Sequence, residues 1–159
     1  TQEAEVAAAL LERLLAANRV VGAVAACVRW HLVIGFMIHR QPLSLRQLDR
    51  FYRTVGTVDT ESFVLSAADR LATRGVRSRD AQLRRHLRLV YDLAAARPAW
   101  RARAAEPLVL RGDEIAAIAG RPPGPWLADA VERLRLAQLT RPGLTVPAAR
   151  RMVRAWTAD

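Results

Sequence analysis

An all-α fold, a bundle of about five helices followed by a smaller three-helix tail, is predicted for this 159-residue chain by three observations. Apolar residues recur at helical spacing along most of its length, and no stretch alternates with the two-residue period of a half-buried strand. The apolar fraction, 52%, comes mainly from Ala, Leu and Val, with aromatics at only 6%, a mixture that favours helices. Gly and Pro are sparse, at eight residues each. The length suits two small packed units, residues 1–98 and residues 99–159, sharing one surface.

The elements follow in order. Glu3 to Ala17 forms a helix with Val6, Leu10, Leu14 and Ala17 on one stripe, widened by Leu11 and Leu15, and Asn18 ends it. Val20 to about Leu32 is a second helix, expected to be buried on most sides. Ser44 starts a third through the Ser44-x-x-Gln47 capping-box spacing, with Leu45, Leu48, Tyr52 and Val55 inward as far as Gly56. Thr60 to Arg74 is a fourth, begun by Asp59 or Thr60 and stopped by Gly75, with Phe63, Val64, Ala67, Leu71 and Ala72 as core candidates. Ser78 to Arg97 is a fifth, with Leu83, Leu87, Val90, Tyr91 and Ala94 inward, Arg84, Arg85, Arg88 and Asp92 outward, and Pro98 as its end. Ala99 to Pro107 is a connector.

The most informative phrase is Leu110 to Arg141. Gly112 precedes Asp113 and Glu114, whose carboxylates suit the unpaired N–H groups and positive dipole end of a helix start. That short helix closes at Gly120, and Arg121-Pro122-Pro123-Gly124-Pro125 forces a turn. Trp126 restarts the periodicity: Leu127, Ala130, Val131 and Leu134 face inward, while Asp129, Glu132, Arg133 and Arg135 face water. After Arg141-Pro142-Gly143, Thr145 caps a last helix with Pro147 in its first turn and Val146, Ala149, Val153 and Trp156 inward.

Gly112-Asp113-Glu114-Ile115 and Pro123-Gly124-Pro125-Trp126 resemble the C-terminal segment of class II tRNA nucleotidyltransferases, the CCA-adding and poly(A) polymerase family. There a Gly-x-Asp-Leu-type helix leads through a Pro-Gly-Pro turn. Upstream, Val28-Arg29-Trp30-His31 resembles the Val-Arg-His-His-like phrase of HD-domain nucleotidyltransferases. Ser66-Ala67-Ala68-Asp69-Arg70-Leu71-Ala72-Thr73-Arg74-Gly75 is similar to their Ala-Asp-x-x-Ala-x-Arg-Gly segment, with Asp69 at the position of an HD metal-binding aspartate. The resemblance implies an HD-like helical body at 1–98 and a C-terminal tail at 99–159 that hold tRNA or another structured RNA. It also implies a parent enzyme that uses Mg and a nucleoside triphosphate in a catalytic head.

The chemistry of that parent is not carried by these residues. His31, His39 and His86 are followed by Leu32, Arg40 and Leu87, so the sequence contains no His-Asp doublet. A catalytic divalent metal needs several converging ligands, and nucleotidyl transfer needs closely spaced carboxylates, yet no Asp-x-Asp occurs. The head is therefore expected upstream of Thr1, and no catalytic or metal-binding residue is assigned. Cys27, the single cysteine, lies in an apolar run and reads as a buried, inert thiol. The chain reads as cytoplasmic and not membrane-spanning: Arg29 and His31 interrupt the apolar run from Val20 to Ile38, and Glu3, Glu5 and Glu12 are foreign to a signal peptide.

Binding is the function left open. All 25 basic residues are arginine, the net charge is +10 and the isoelectric point is near 11.5, which draws polyanions by steering and counterion release. Arg121, Arg133, Arg135, Arg141, Arg150, Arg151 and Arg154 are the candidate RNA-binding residues of the tail, since guanidinium groups contact phosphates at two points. Arg84, Arg85 and Arg88 form a second patch. Trp100, Trp126 and Trp156 have faces suited to base stacking, but helical phase assigns Trp126 and Trp156 to the core. Two other readings remain: a degenerate HD-type module of a metal-dependent phosphohydrolase, and a helical adaptor for an acidic protein.

Overall fold

The computed structural model describes residues 2–73 and 80–157. The chain is all-α, and the described residues contain no strand. It divides into two compact units, residues 1–98 and residues 99–159, each with its own packing.

In the first unit, α1 (Gln2–Arg13) lies along α2 (Asn18–Met37). α1 ends earlier than the apolar pattern suggested, because Leu15 adopts a left-handed conformation at φ 56°. The Ala16 amide donates to the Leu11 carbonyl and the Leu15 amide to the Glu12 carbonyl, which closes the helix in a Schellman motif. The face α1 buries also differs from the expected stripe. Ala4 is buried and Leu11 half-buried, whereas Val6, Leu10 and Leu14 are exposed. Small side chains line the contact, so α1 approaches α2 through alanine and leaves its larger residues outside.

α2 is longer than expected and continues through Gly35 into a 3₁₀ turn at Ile38–Arg40. By length and composition Asn18–Arg40 is apolar enough to cross a membrane. It touches α1, α3 (Leu45–Val55) and α4 (Asp59–Ala72), but along its length only Val21, Ile34 and Met37 are buried. The expectation that it is covered on most sides is therefore corrected. Cys27, expected to be buried, is half-buried, and burial together with the nearby Glu61 carboxylate raises its thiol above the usual range.

α3 starts as expected: the Ser44 hydroxyl accepts from the Gln47 amide, and the Gln47 side chain accepts from the Ser44 amide at 2.8 Å. Gly56 ends it at φ 66°, a conformation in which a β-carbon is strained. Its inward face is centred on Phe51, Tyr52 and Val55, with Leu45 and Leu48 only half-buried. Phe51 meets Tyr52 edge to face and stacks on Phe63 of α4, at ring separations of 5.3 and 6.0 Å.

The inward faces of α4 and α5 (Asp80–Ala104) are more polar than their apolar periodicity indicated. α4 buries Asp59, Ser62, Phe63 and Ser66, while Val64, Leu71 and Ala72 are exposed and Ala67 half-buried. α5 buries Leu83, His86, Leu89 and Leu93, while Tyr91 and Ala94 are exposed. Polar ties select this phase. The buried Asp59 carboxylate accepts from the Arg97 guanidinium at 2.5 Å and from the Thr60 amide at 2.7 Å. Tyr52 donates to the Leu93 carbonyl, and His86 bonds to Ser66. The expected ends at Arg74, Gly75 and Ser78 lie outside the described residues.

Pro98 does not end α5, which runs on to Ala104. Proline removes the bond that would reach back to the Ala94 carbonyl, but Ala94 and Pro98 both lie on the exposed side, where water can take that carbonyl. The expected connector from Ala99 is thus largely helix.

The second unit comprises α6 (Gly112–Ala119), α7 (Pro125–Thr140) and α8 (Val146–Thr157), each touching the other two. Leu110, Ile115, Ala130, Leu134, Ala149 and Val153 form the core, with Leu127, Val131, Trp126 and Trp156 packed at its edge. Gly120 closes α6 in the left-handed region, and Pro125 opens α7 at its first turn. Val146, expected inward, is exposed. Gln138 fixes the chain entering α6, accepting from the Val109 amide and donating to the Pro107 carbonyl at 3.1 and 2.8 Å.

Leu15 is almost fully exposed, at 92%, so its side chain contributes no burial that offsets its left-handed backbone. Leu15→Gly is expected to stabilise the protein by about 0.5–1 kcal/mol, read as a higher urea midpoint. Burial and the neighbouring Asp59 charge push the Tyr52 hydroxyl up to about 12. A folded-state value above the unfolded value of 10.0 gives stability that is complete below pH 10 and is lost as pH rises towards 12. Unfolding midpoints over that interval are expected to fall more steeply for the wild type than for Tyr52→Phe, by on the order of 2 kcal/mol.

Candidate nucleic-acid interface

The seven tail arginines occupy three settings. Two lie over tryptophan rings: the Arg121 guanidinium is 5.0 Å from the Trp126 ring centre and that of Arg133 is 4.9 Å from Trp156. Trp126 is fixed by donating to the Pro122 carbonyl at 2.9 Å, so the turn from Gly120 to Pro125 acts as a brace for its ring. Both tryptophans are half-buried core-edge residues, as their phase indicated. Arginine lies over each ring, so a flat cation is presented in place of the bare indole face that base stacking needs.

Two others are engaged by carboxylates. Arg135 pairs with Glu132 through two bonds of 3.0 Å, and Arg150 lies 3.6 Å from Glu114. The remaining three, Arg141, Arg151 and Arg154, are exposed, with Arg141 reaching the Met152 sulfur at 3.5 Å. No ion pair among the described residues holds Arg121, Arg133, Arg141, Arg151 or Arg154. The set does not form one cluster. Arg150 turns towards α6, whereas Arg133 and Arg141 meet α8 at Trp156 and Met152. The result is a surface around α8 with cations on both flanks.

Positive charge is not concentrated in the tail. Residues 99–159 hold ten arginines against six acidic residues, and residues 1–98 hold fifteen against nine. In the first unit Arg84, Arg85 and Arg88 are exposed on α5, as expected. Arg88 pairs with Asp92 at 3.0 Å and lies over Tyr91, so Arg84 and Arg85 are the more available cations of that patch.

Asp69 and His31, from the two segments that resemble HD proteins, line one cleft of the first unit together with the other two histidines. His31, His39, Asp69 and His86 line a cavity of about 470 Å3 beside Arg70 and Arg85. They do not form a metal set: no group of three or more His, Cys, Asp or Glu among the described residues is arranged to hold an ion. His86 is buried, and its Nε2 lies 3.2 Å from the Ser66 carbonyl, which only accepts, so Nε2 carries the proton. Burial holds His86 below the ordinary histidine range and therefore neutral, so it orders the cleft wall. His31 donates from Nδ1 to the Val28 carbonyl at 2.8 Å.

Sequence reading identified the tail arginines but not their carboxylate partners, which come from another helix or another turn. It also missed the cleft as a unit, because its lining spans residues 31 to 86. No protein-family model, curated protein or solved structure matches the chain.

Proposed function

We propose that the chain is an RNA-binding helical portion of a tRNA nucleotidyltransferase or poly(A) polymerase-like enzyme. On this reading, residues 1–98 are an HD-like body and residues 99–159 a C-terminal tail. Together they grip tRNA or another structured RNA by its backbone, and a separate catalytic head that uses Mg and a nucleoside triphosphate extends the 3′ end. The observation that carries the reading is the surface around α8, where Arg133, Arg141, Arg151 and Arg154 are exposed and in no ion pair among the described residues, with Arg121 likewise unpaired over Trp126. The two sequence resemblances supply the enzyme class, and the net charge of +10 supplies the attraction.

Guanidinium groups in this setting position a phosphate backbone without reading its sequence. Arg121 and Arg133 act from above tryptophan rings, where the indole restricts their motion and less entropy is lost when a phosphate is bound. Arg135 and Arg150 are less available, since contact with RNA competes with Glu132 and Glu114.

A degenerate HD-type hydrolase is the second reading, prompted by Asp69 and three histidines lining one cleft, although no three of them are arranged to hold an ion. It requires a bound divalent ion and hydrolysis of a phosphate ester. Both are absent on the RNA-holding reading, which makes the two separable by assay.

Binding of tRNA is expected to weaken linearly on a plot of log affinity against log salt, with no incorporation of CMP or AMP by this chain alone. Reversing Arg151 and Arg154 to Glu together should lower affinity roughly tenfold or more and reduce the salt slope by about two. Gel shifts across a salt series, with nucleotide incorporation assayed alongside, check both. An unchanged affinity in the double variant, or incorporation by the chain, contradicts the assignment.

A further inference from the structure

The cleft between α2, α4 and α5 has a lining that the RNA surface does not use. Its volume, about 470 Å3, lies within the range of small-molecule sites, roughly 300–1,000 Å3. Arg70 and Arg85 supply two guanidinium groups, neither of which is in an ion pair among the described residues. Each is positioned by a neutral acceptor instead: Arg85 donates to the Ile38 carbonyl at 3.0 Å and Arg70 to the Gln82 side chain at 3.5 Å. A guanidinium held by one N–H keeps its others for an anion.

Phe36 lines the same cleft and is 72% exposed, an unusual setting for a phenyl ring on a helix whose neighbours Ile34 and Met37 are buried. A flat apolar ring beside two cations offers stacking to a planar group and pairing to a phosphate. The Asp69 carboxylate lines the cleft as well and, with no ion-pair partner among the described residues, can accept hydrogen bonds from hydroxyl groups. Planar ring, hydroxyls and phosphate are the three parts of a nucleotide.

We propose that this cleft binds a nucleoside monophosphate without a metal ion, the base on Phe36, the phosphate between Arg70 and Arg85, and the ribose hydroxyls towards Asp69. His86 is a positioning residue: its bond to Ser66 ties α5 to α4 and sets the distance between Arg85 on one helix and Arg70 on the other. The site is independent of the α8 arginines and stands whether or not the tail binds RNA.

The test is calorimetric titration of the whole chain in EDTA with AMP, adenosine and inorganic phosphate. AMP should bind at least tenfold more tightly than either fragment, because stacking and ion pairing act together. Arg70→Gln should weaken AMP at least fivefold. Phe36→Ala, a change at an exposed position, should weaken AMP while leaving phosphate unchanged. Arg151→Glu should leave AMP binding as it was. Circular dichroism of each variant accompanies the titration, and Arg70→Lys, which keeps the charge, should recover part of the loss. The proposal is overturned if AMP shows no saturation up to roughly 10 mM, a concentration corresponding to very weak affinity. It is equally overturned if EDTA abolishes binding or if folded Arg70→Gln binds AMP as the wild type does.

Discussion

The first unit depends on the buried carboxylate of Asp59. Its oxygens receive the Thr60 amide at the start of α4 and the Arg97 guanidinium from α5, while Tyr52 of α3 lies within its field. A buried charge is costly unless bonded on several sides, so these three helices are constrained to meet at this point. The long α5 buries Leu83, Leu89 and Leu93 along one face, and polar ties from His86, the Leu93 carbonyl and Arg97 lie along that same face. Removing one partner of such a buried pair strands the other, whereas loss of a surface pair such as Arg88–Asp92 matters little.

The same ties define the cleft. With α5 fixed to α4 through His86 and Ser66, Arg85 is brought to the end of α2 and Arg70 of α4 reaches Gln82 of α5. Polar packing therefore serves both the fold and the placement of cations. The second unit uses another principle. Its core of Leu110, Ile115, Leu134, Ala149 and Val153 is wholly apolar, and its arginines stand on a hydrophobic base, two of them over indole rings at the core edge.

This contrast explains how much was legible in the sequence. Local chemistry was legible: the Ser44–Gln47 box, the Gly56 and Gly120 stops and the Pro125 start each depend on residues within a few positions. The apolar phase of α7 was legible because hydrophobic burial decides it. The phases of α4 and α5 were not, because Asp59, Ser66 and His86 are buried on the faces that hydrophobic periodicity assigns to water, and their partners lie 20 to 38 residues away. α1 misled for another reason. Its larger residues form a regular stripe, yet the helix touches α2 through Ala4 and its small neighbours. For the candidate interface, the identity of the arginines was visible, but the Glu114 and Glu132 contacts that remove two of them from the most available set were not.

The central functional claim is that RNA is held on the arginine-bearing flanks of α8. Hydrogen–deuterium exchange of the chain with and without tRNA tests it most directly, since amides shielded by the bound backbone report where contact occurs. Bound RNA is expected to slow exchange in α8 and in the turn from Gly120 to Pro125 that braces Trp126. Slowed exchange confined to α1 and α2, with α8 unchanged at saturating tRNA, would contradict it.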